Sequence, residues 1–246
     1  MAVSAAATAA TAELIEFDLE VCGGGREMAG ADEVGRGCLA GPIVAAAVIF
    51  DYARFDSEAL ALLLPGLGDS KKLTAKARER LYPLIIRHAS RFSIISCGSS
   101  TIDADGLQKT NQRILARSLE SLAPCPEVAL VDGHLPLKDC LLPHRAVRKG
   151  DSKSACVAAA SIIAKVTRDR LMVKLHERYP QYGFDRHVGY GSLSHREAIA
   201  RHGYTPLHRR SFNVNLSGLV EETIPGNPGL MSADLGTNFA PDLGTG

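Results

Sequence analysis

The sequence has no Cys-x-x-Cys pair: its six cysteines, at 22, 38, 97, 125, 140 and 156, are scattered over 246 residues. That spacing argues against a zinc ribbon and against a disulfide scaffold, and leaves reduced core thiols as the expectation. No excess of one charge is present either, with 28 Lys and Arg against 27 Asp and Glu, so a polybasic surface over the whole molecule is excluded. The alanine-rich beginning lacks the basic and leucine-rich segments of a secretion signal, and no apolar window approaches the length of a membrane span. The glycine-lysine segments do not fit the Gly-x-x-x-x-Gly-Lys-Ser/Thr spacing, which disfavours a nucleotide-dependent phosphotransferase. A soluble, cytoplasmic monomer without membrane contact is expected.

What is present is an ordinary globular composition, 46% hydrophobic and 22% charged, in a chain long enough for one α/β domain with tails. Residues 1 to about 12 are nearly all Ala, Thr and Ser, and from about 217 onward Gly, Pro and Asn recur without apolar periodicity. Both ends are expected to be disordered. The expected division is a partly disordered extension at 1–25, a domain at 26–215 and a disordered tail at 216–246. Between the ends, short β-rich runs alternate with helical ones. Strands are expected up to Asp32, over Ile43 to Phe50, Arg91 to Cys97 and Val128 to Val131, and around Val147. Helices are expected after a Thr74 cap, over Leu107 to Leu122, Ala155 to Tyr179 and Ser194 to His202, with Asp151 or Ser152 capping the longest. Acidic residues dominate 13–20, whereas 145–153 and 195–210 are rich in Arg, Lys and His, so an anionic ligand is expected to prefer the later segments.

The chemistry concentrates where strands stop. Asp32 and Glu33 end one strand, Asp132 ends another, and Asp151 precedes a helix. Taken singly, each is also what a solvated turn or a helix cap looks like. Together at the edge of one sheet they are untenable as bare charges, since two carboxylates about 4 Å apart repel by about 4 kcal/mol at an effective dielectric near 20. Two divalent cations would neutralise them, and oxygen donors select Mg²⁺ or Mn²⁺ rather than zinc. Such a pair can align water and leaving oxygen across a phosphodiester without a side-chain nucleophile. Gly35-Arg36-Gly37 adds a cation on a backbone that a ligand can approach closely, although the same triplet suits any tight turn. Ser70-Lys71 lies in a Gly-Asp-Ser-Lys segment that recurs at 150–153. Tyr190, between Gly189 and Gly191, can stack on a sugar or base, or simply fill a core. A non-catalytic nucleic-acid binding module using the basic later segments is the competing reading.

These blocks, namely Ala31 to Gly37 with Ala40-Gly41-Pro42, Asp69 to Leu73, Val131-Asp132-Gly133, Lys149 to Ser152 with Ala158 to Asp169, Gly189-Tyr190-Gly191 and Arg210-Ser211-Phe212, resemble the bacterial type 2 ribonuclease H family, ribonuclease HII. The resemblance implies an α/β ribonuclease H-like fold, a mixed central β-sheet flanked by helices, with a small C-terminal helical part. It implies endonucleolytic hydrolysis of the RNA strand of RNA/DNA hybrids, and cutting 5′ of ribonucleotides embedded in duplex DNA to leave 3′-hydroxyl and 5′-phosphate ends. By position, Asp32, Glu33, Asp132 and Asp151 would bind the two ions, Mn²⁺ or Mg²⁺. Gly35, Arg36 and Gly37 would sense the ribose 2′-hydroxyl, the group that separates RNA from DNA. Tyr190 would meet the adjacent deoxyribose, and Ser70 and Lys71 would also face substrate. Two departures, Arg148 and a more polar segment from Gln108 to Leu119, are expected to lie away from the site.

Overall fold

The computed structural model describes residues 5–23, 27–54 and 57–216. Five strands, β1 (Glu27–Val34), β2 (Ile43–Asp51), β3 (Arg91–Cys97), β4 (Val128–Asp132) and β5 (His144–Val147), form one sheet in the order β3-β2-β1-β4-β5. The β1–β2 and β2–β3 pairs are antiparallel, while β1–β4 and β4–β5 are parallel. The mixed sheet expected from the resemblance is therefore present. Parallel neighbours need helical crossovers, and β1 and β4 are buried at the centre with helices on both faces.

Eight helices complete the described residues: α1 (Ala5–Cys22), α2 (Ser57–Leu63), α3 (Ala75–His88), α4 (Ser99–Asp105), α5 (Leu107–Glu120), α6 (Ala155–Arg178), α7 (Phe184–His187) and α8 (Leu193–His202). The period-2 alternation of a strand divides β1 between two cores. Met28 packs with α1, α2, α3 and α6, whereas Ala29 and Ala31 pack with α4 and α5. A third cluster joins Met172 of α6 to Tyr182, Phe184 and Ile199, the small C-terminal helical part.

Two features aim the sheet end. A Cβ on Gly30 would lie 2.3 Å from the Cys156 carbonyl carbon and the Val157 nitrogen, so only glycine lets the first turn of α6 cross β1 at this distance. The alanines of α6, Ala158, Ala159 and Ala160, are fully buried for the same reason. In addition, Ala31 of β1 lies opposite Val131 of β4, which makes Asp32 and Asp132 the next residues on adjacent parallel strands.

Several expectations need correction. The N-terminal segment expected to be disordered up to about residue 12 is helical from Ala5. Alanine is the best helix former, and Leu14 and Ile15 bury the helix against α2 while Thr11 Oγ1 donates to Ala7 O at 3.0 Å. β1 continues two residues beyond Asp32. The cap of α6 is Ser154, whose hydroxyl accepts from Val157 N at 3.2 Å, rather than Asp151 or Ser152. Those two residues form a 3-10 turn over Gly150–Ser152 that is free to serve the site. The tail expected at 216–246 lies outside the described residues from 217 onward.

Candidate active site

The four acidic residues gather at the C-terminal ends of β1 and β4 and the turn ahead of α6. Because successive strand residues face opposite sides, Asp32 turns toward α6, where the Ser161 hydroxyl supports it, and Glu33 turns toward α5, beside Asn111. Asp32 Oδ1 accepts from Glu33 N at 2.8 Å, and Asp132 Oδ1 accepts from Gly150 N at 2.7 Å. The second bond joins β4 to the turn that carries Asp151. Lys71 Nζ lies 3.4 Å from Asp151 Oδ2, and Arg36 reaches Glu33 Oε1 at 3.3 Å.

Burial governs the electrostatics. Asp32 and Asp151 are each only 4% exposed. Desolvation, followed by the charge of Glu33, holds the Asp32 carboxyl well above its ordinary range. Desolvation also raises Glu33, against the pull of Arg36, and raises Asp132, against the bond from Gly150. Lys71 is desolvated, which favours its neutral form, yet the charges of Asp151, Asp32 and Asp132 outweigh that and raise it. Acidic charge thus exceeds the basic charge that faces it, and the donors are all hard oxygens, a set that fits a divalent cation. Among the described residues no three acidic, His or Cys side chains already stand as a ligand shell. Glu33, Asp132 and Asp151 lean on protein donors instead, as mutually repelling carboxylates do when other partners are within reach.

The Gly-Arg-Gly loop lies beside this cluster. Gly35 has φ +92°, and a Cβ there would meet Arg168 Nε at 2.4 Å, whereas Gly37 has nothing within 4 Å and leaves its backbone open to a ligand. Tyr190 is 42% exposed and pairs in a β-bridge with Cys38, at the end of the same loop. Gly189, at φ +85°, brings Tyr190 in so closely that a Cβ would stand 2.3 Å from Ala40 O. Two buried arginines tie the segments together. Arg168 donates to Pro42 O, Ala40 O and Val188 O at 2.9, 3.1 and 2.8 Å. Arg209 donates to Arg36 O at 2.9 Å and, from two nitrogens, to Gly41 O.

Not every expected residue faces the cleft. The Lys71 side chain is 77% exposed and stands over the carboxylates. Ser70 is buried, and its hydroxyl pairs with Ser161 at 2.8 Å, so it supports the wall behind Asp32 rather than opening to solvent. The basic segment 195–210 is also less available than its charge implies: His195, His208 and Arg209 are all buried. The polar stretch of α5, expected away from the site, is in contact with it. Gln108 Oε1 accepts from Arg36 at 3.1 Å, and Gln108 and Asn111 line a cleft of about 320 Å³ together with Glu33, Arg36 and Asp132. The signal was two amides at i, i+3, one helical turn apart. Arg168 lay within the Ala158 to Asp169 block of the resemblance without a role attached to it, and Arg209, in the basic 195–210 segment, left no signal beyond its charge; among the described residues neither forms a salt bridge to a carboxylate.

Comparison with known proteins assigns the chain to a family. The family model for ribonuclease HII matches residues 29–215. A ribonuclease HII from Geobacillus kaustophilus is 47% identical over 201 residues, 81% of this chain and 74% of that protein. Among solved structures, ribonuclease H2 from Pyrococcus horikoshii OT3 superposes with a TM-score of 0.67 at 29% identity, covering 79% of this chain and 97% of that one. Bst-RNase HIII in complex with Mn²⁺ superposes with a TM-score of 0.60 at 25% identity, over 80% of this chain and 69% of that one. The matched span holds β1 from Ala29, Lys71, α5, β4, the turn before α6, Tyr190 and Arg209. The chain belongs to the ribonuclease HII family, divalent-metal-dependent ribonuclease H endonucleases that act on RNA/DNA hybrids.

Proposed function

We propose that Asp32, Glu33, Asp132 and Asp151 hold two divalent ions, Mn²⁺ or Mg²⁺, and that the enzyme cuts both hybrids and single ribonucleotides within duplex DNA. The cut falls 5′ of the ribonucleotide and leaves 3′-hydroxyl and 5′-phosphate ends. The observation that carries this reading is the gathering of two buried and two half-buried carboxylates, three of the four raised above their ordinary range, at adjoining strand ends with one facing lysine. The Mn²⁺ complex of the Bst-RNase HIII neighbour supports the same choice of ion.

When bound, the ions supply Lewis-acid charge that neutralises the phosphate and activates water. The protein supplies the rest. Lys71 places an exposed cation above Asp151, where the backbone phosphate of a duplex would pass. The open backbone at Gly37 admits a sugar edge, and Arg36, held by Glu33 and Gln108, keeps its guanidinium at the same place. Tyr190 offers a half-exposed ring to the neighbouring sugar. A ribose 2′-hydroxyl on one side and a ring face that tolerates only deoxyribose on the other would together read an RNA-to-DNA junction. Incubation of a duplex carrying one ribonucleotide with enzyme and Mg²⁺ or Mn²⁺ tests this. Product ending immediately 5′ of the ribonucleotide is expected, and an intact strand, with an all-RNA hybrid cleaved in parallel, would overturn the junction reading.

A further inference from the structure

Behind Tyr190 lies a buried histidine array in which every nitrogen has a partner. His195 is fully buried and His208 is 2% exposed. Thr205 N and the Thr205 hydroxyl both lie 2.9 Å from His208 Nδ1. The two imidazoles meet at their Nε2 atoms, 3.1 Å apart, and His195 Nδ1 lies 2.8 Å from the Tyr190 carbonyl. The ends of this chain determine its protons. A carbonyl only accepts, so His195 must carry its hydrogen on Nδ1; a backbone N–H only donates, so His208 Nδ1 must be bare. With both rings neutral, His208 Nε2–H then donates to a bare His195 Nε2. Assignments made from the two ends agree at the central bond.

The rings are also held in place sideways. His187 stacks on His195 with centroids 4.4 Å apart, donates from Nε2 to Tyr182 O at 2.7 Å and accepts from Gly189 N at 3.2 Å. Phe184 meets His195 edge to face at 5.5 Å. Tyr182, Tyr204 and Arg210 are the other titratable groups that face the pair, all by way of His208. Burial pushes His195 and His208 down to about 4, in keeping with two neutral rings.

We propose that His195 and His208 are positioning residues for substrate discrimination: one continuous run of directed hydrogen bonds from Thr205 to the Tyr190 carbonyl fixes the backbone point from which the Tyr190 ring projects. The inference rests on the reading that Tyr190 meets the sugar beside the ribonucleotide. With its carbonyl held by buried, one-directional bonds and its backbone bridged to Cys38, the main chain of Tyr190 keeps its place beside the Gly-Arg-Gly loop, and the ring projects from a fixed point. The array is not a metal site, because the nitrogens of His195 and His208 are committed to one another, to Tyr190 and to Thr205.

Two measurements test it. In the unaltered protein at pH 7, nitrogen NMR is expected to show His195 protonated on Nδ1 alone and His208 on Nε2 alone; the opposite tautomers, or a charged ring, overturn the relay. The second measurement compares kcat/KM on a single-ribonucleotide duplex and on a uniform hybrid for Tyr190→Ala, His195→Phe and His195→Asn. Phenylalanine keeps the ring in its slot but removes the donor, whereas the asparagine amide nitrogen can replace Nδ1. His195→Phe is expected to lower the junction-to-hybrid ratio about tenfold, through KM rather than kcat, within the range that a shift of about 1 Å can cost. His195→Asn is expected to restore most of it. If Tyr190→Ala loses the ratio and His195→Phe keeps it, the positioning role is wrong and the reading of Tyr190 stands. If Tyr190→Ala keeps the ratio, both are wrong. Should His195→Phe not fold, the tautomers decide.

Discussion

Asp32→Asn preserves the shape of the side chain and its bond from Glu33 N while removing the oxygen that a divalent ion would hold as a carboxylate. Turnover is expected below about one-hundredth of the parent rate, since even indirect damage to a metal site costs 10- to 100-fold. The melting temperature should be equal or higher, because burial and Glu33 already disfavour the ionised form. A parent-like rate would remove Asp32 from the site. At Gly30, alanine must displace the first turn of α6, whose Cys156 and Val157 backbone lies 2.3 Å from the new Cβ. The expected cost is about 1–3 kcal/mol, read from a denaturant midpoint, with loss of activity because that turn follows directly from Asp151. The acidic residues were legible because carboxylates at strand ends are costly without a cation. Ser70 was not, because its direction depends on Ser161, 91 positions away.

At the scale of elements, α1 shows how a helix with little apolar periodicity is still held. Asp18 Oδ2 accepts from the Tyr52 hydroxyl at 2.6 Å and from Cys156 N at 2.9 Å, so α1 satisfies a free N–H in the first turn of α6. Desolvation raises Asp18 from 3.8 to about 6, opposed by its hydrogen bonds. Folding therefore takes up a proton between these values, and stability from this group is fully present below pH 3.8 and falls as pH rises to about 6. Asp18→Asn abolishes that slope. Its stability relative to the parent is expected to improve from pH 4 to pH 7, by about 3 kcal/mol at most, in urea titrations at both pH values. A constant difference would contradict the assigned protonation. Strands β2 and β3 and helices α3 and α5 were legible from apolar period and caps. Helix α1 was not, because its docking rests on contacts with Tyr52, Leu64 and α6 that lie 34 or more positions away.

At the scale of the molecule, two titrations oppose each other. His195 and His208 have folded values of about 4 against an ordinary 6.5, so the unfolded chain binds more protons between those values. Stability from the pair is complete above pH 6.5 and is lost as pH falls toward 4. Hydrogen exchange is expected to show residues 180–210 losing protection in that window before the central sheet does; simultaneous loss would refute a separate C-terminal weakness. Divalent ions act on the other end of the site. At 100 times its Kd, one Mn²⁺ or Mg²⁺ adds about 2.7 kcal/mol by mass action, visible as a higher melting temperature that Asp32→Asn largely abolishes. No helix among the described residues is long and apolar enough to cross a membrane.

By itself the sequence determined the alternation of strands and helices, the acidic residues at strand ends and the Gly-Arg-Gly loop, because periodicity, capping and like-charge repulsion are properties of neighbouring residues. Only the tertiary structure decided that Ser70 turns inward, that Gln108 and Asn111 wall the cleft, that buried arginines tie the Gly-Arg-Gly loop to the segment before Tyr190, and that two histidines join Tyr190 to Thr205. Those outcomes depend on which backbone carbonyls and helix ends come to face one another, and residues far apart in the chain meet only when the sheet is assembled.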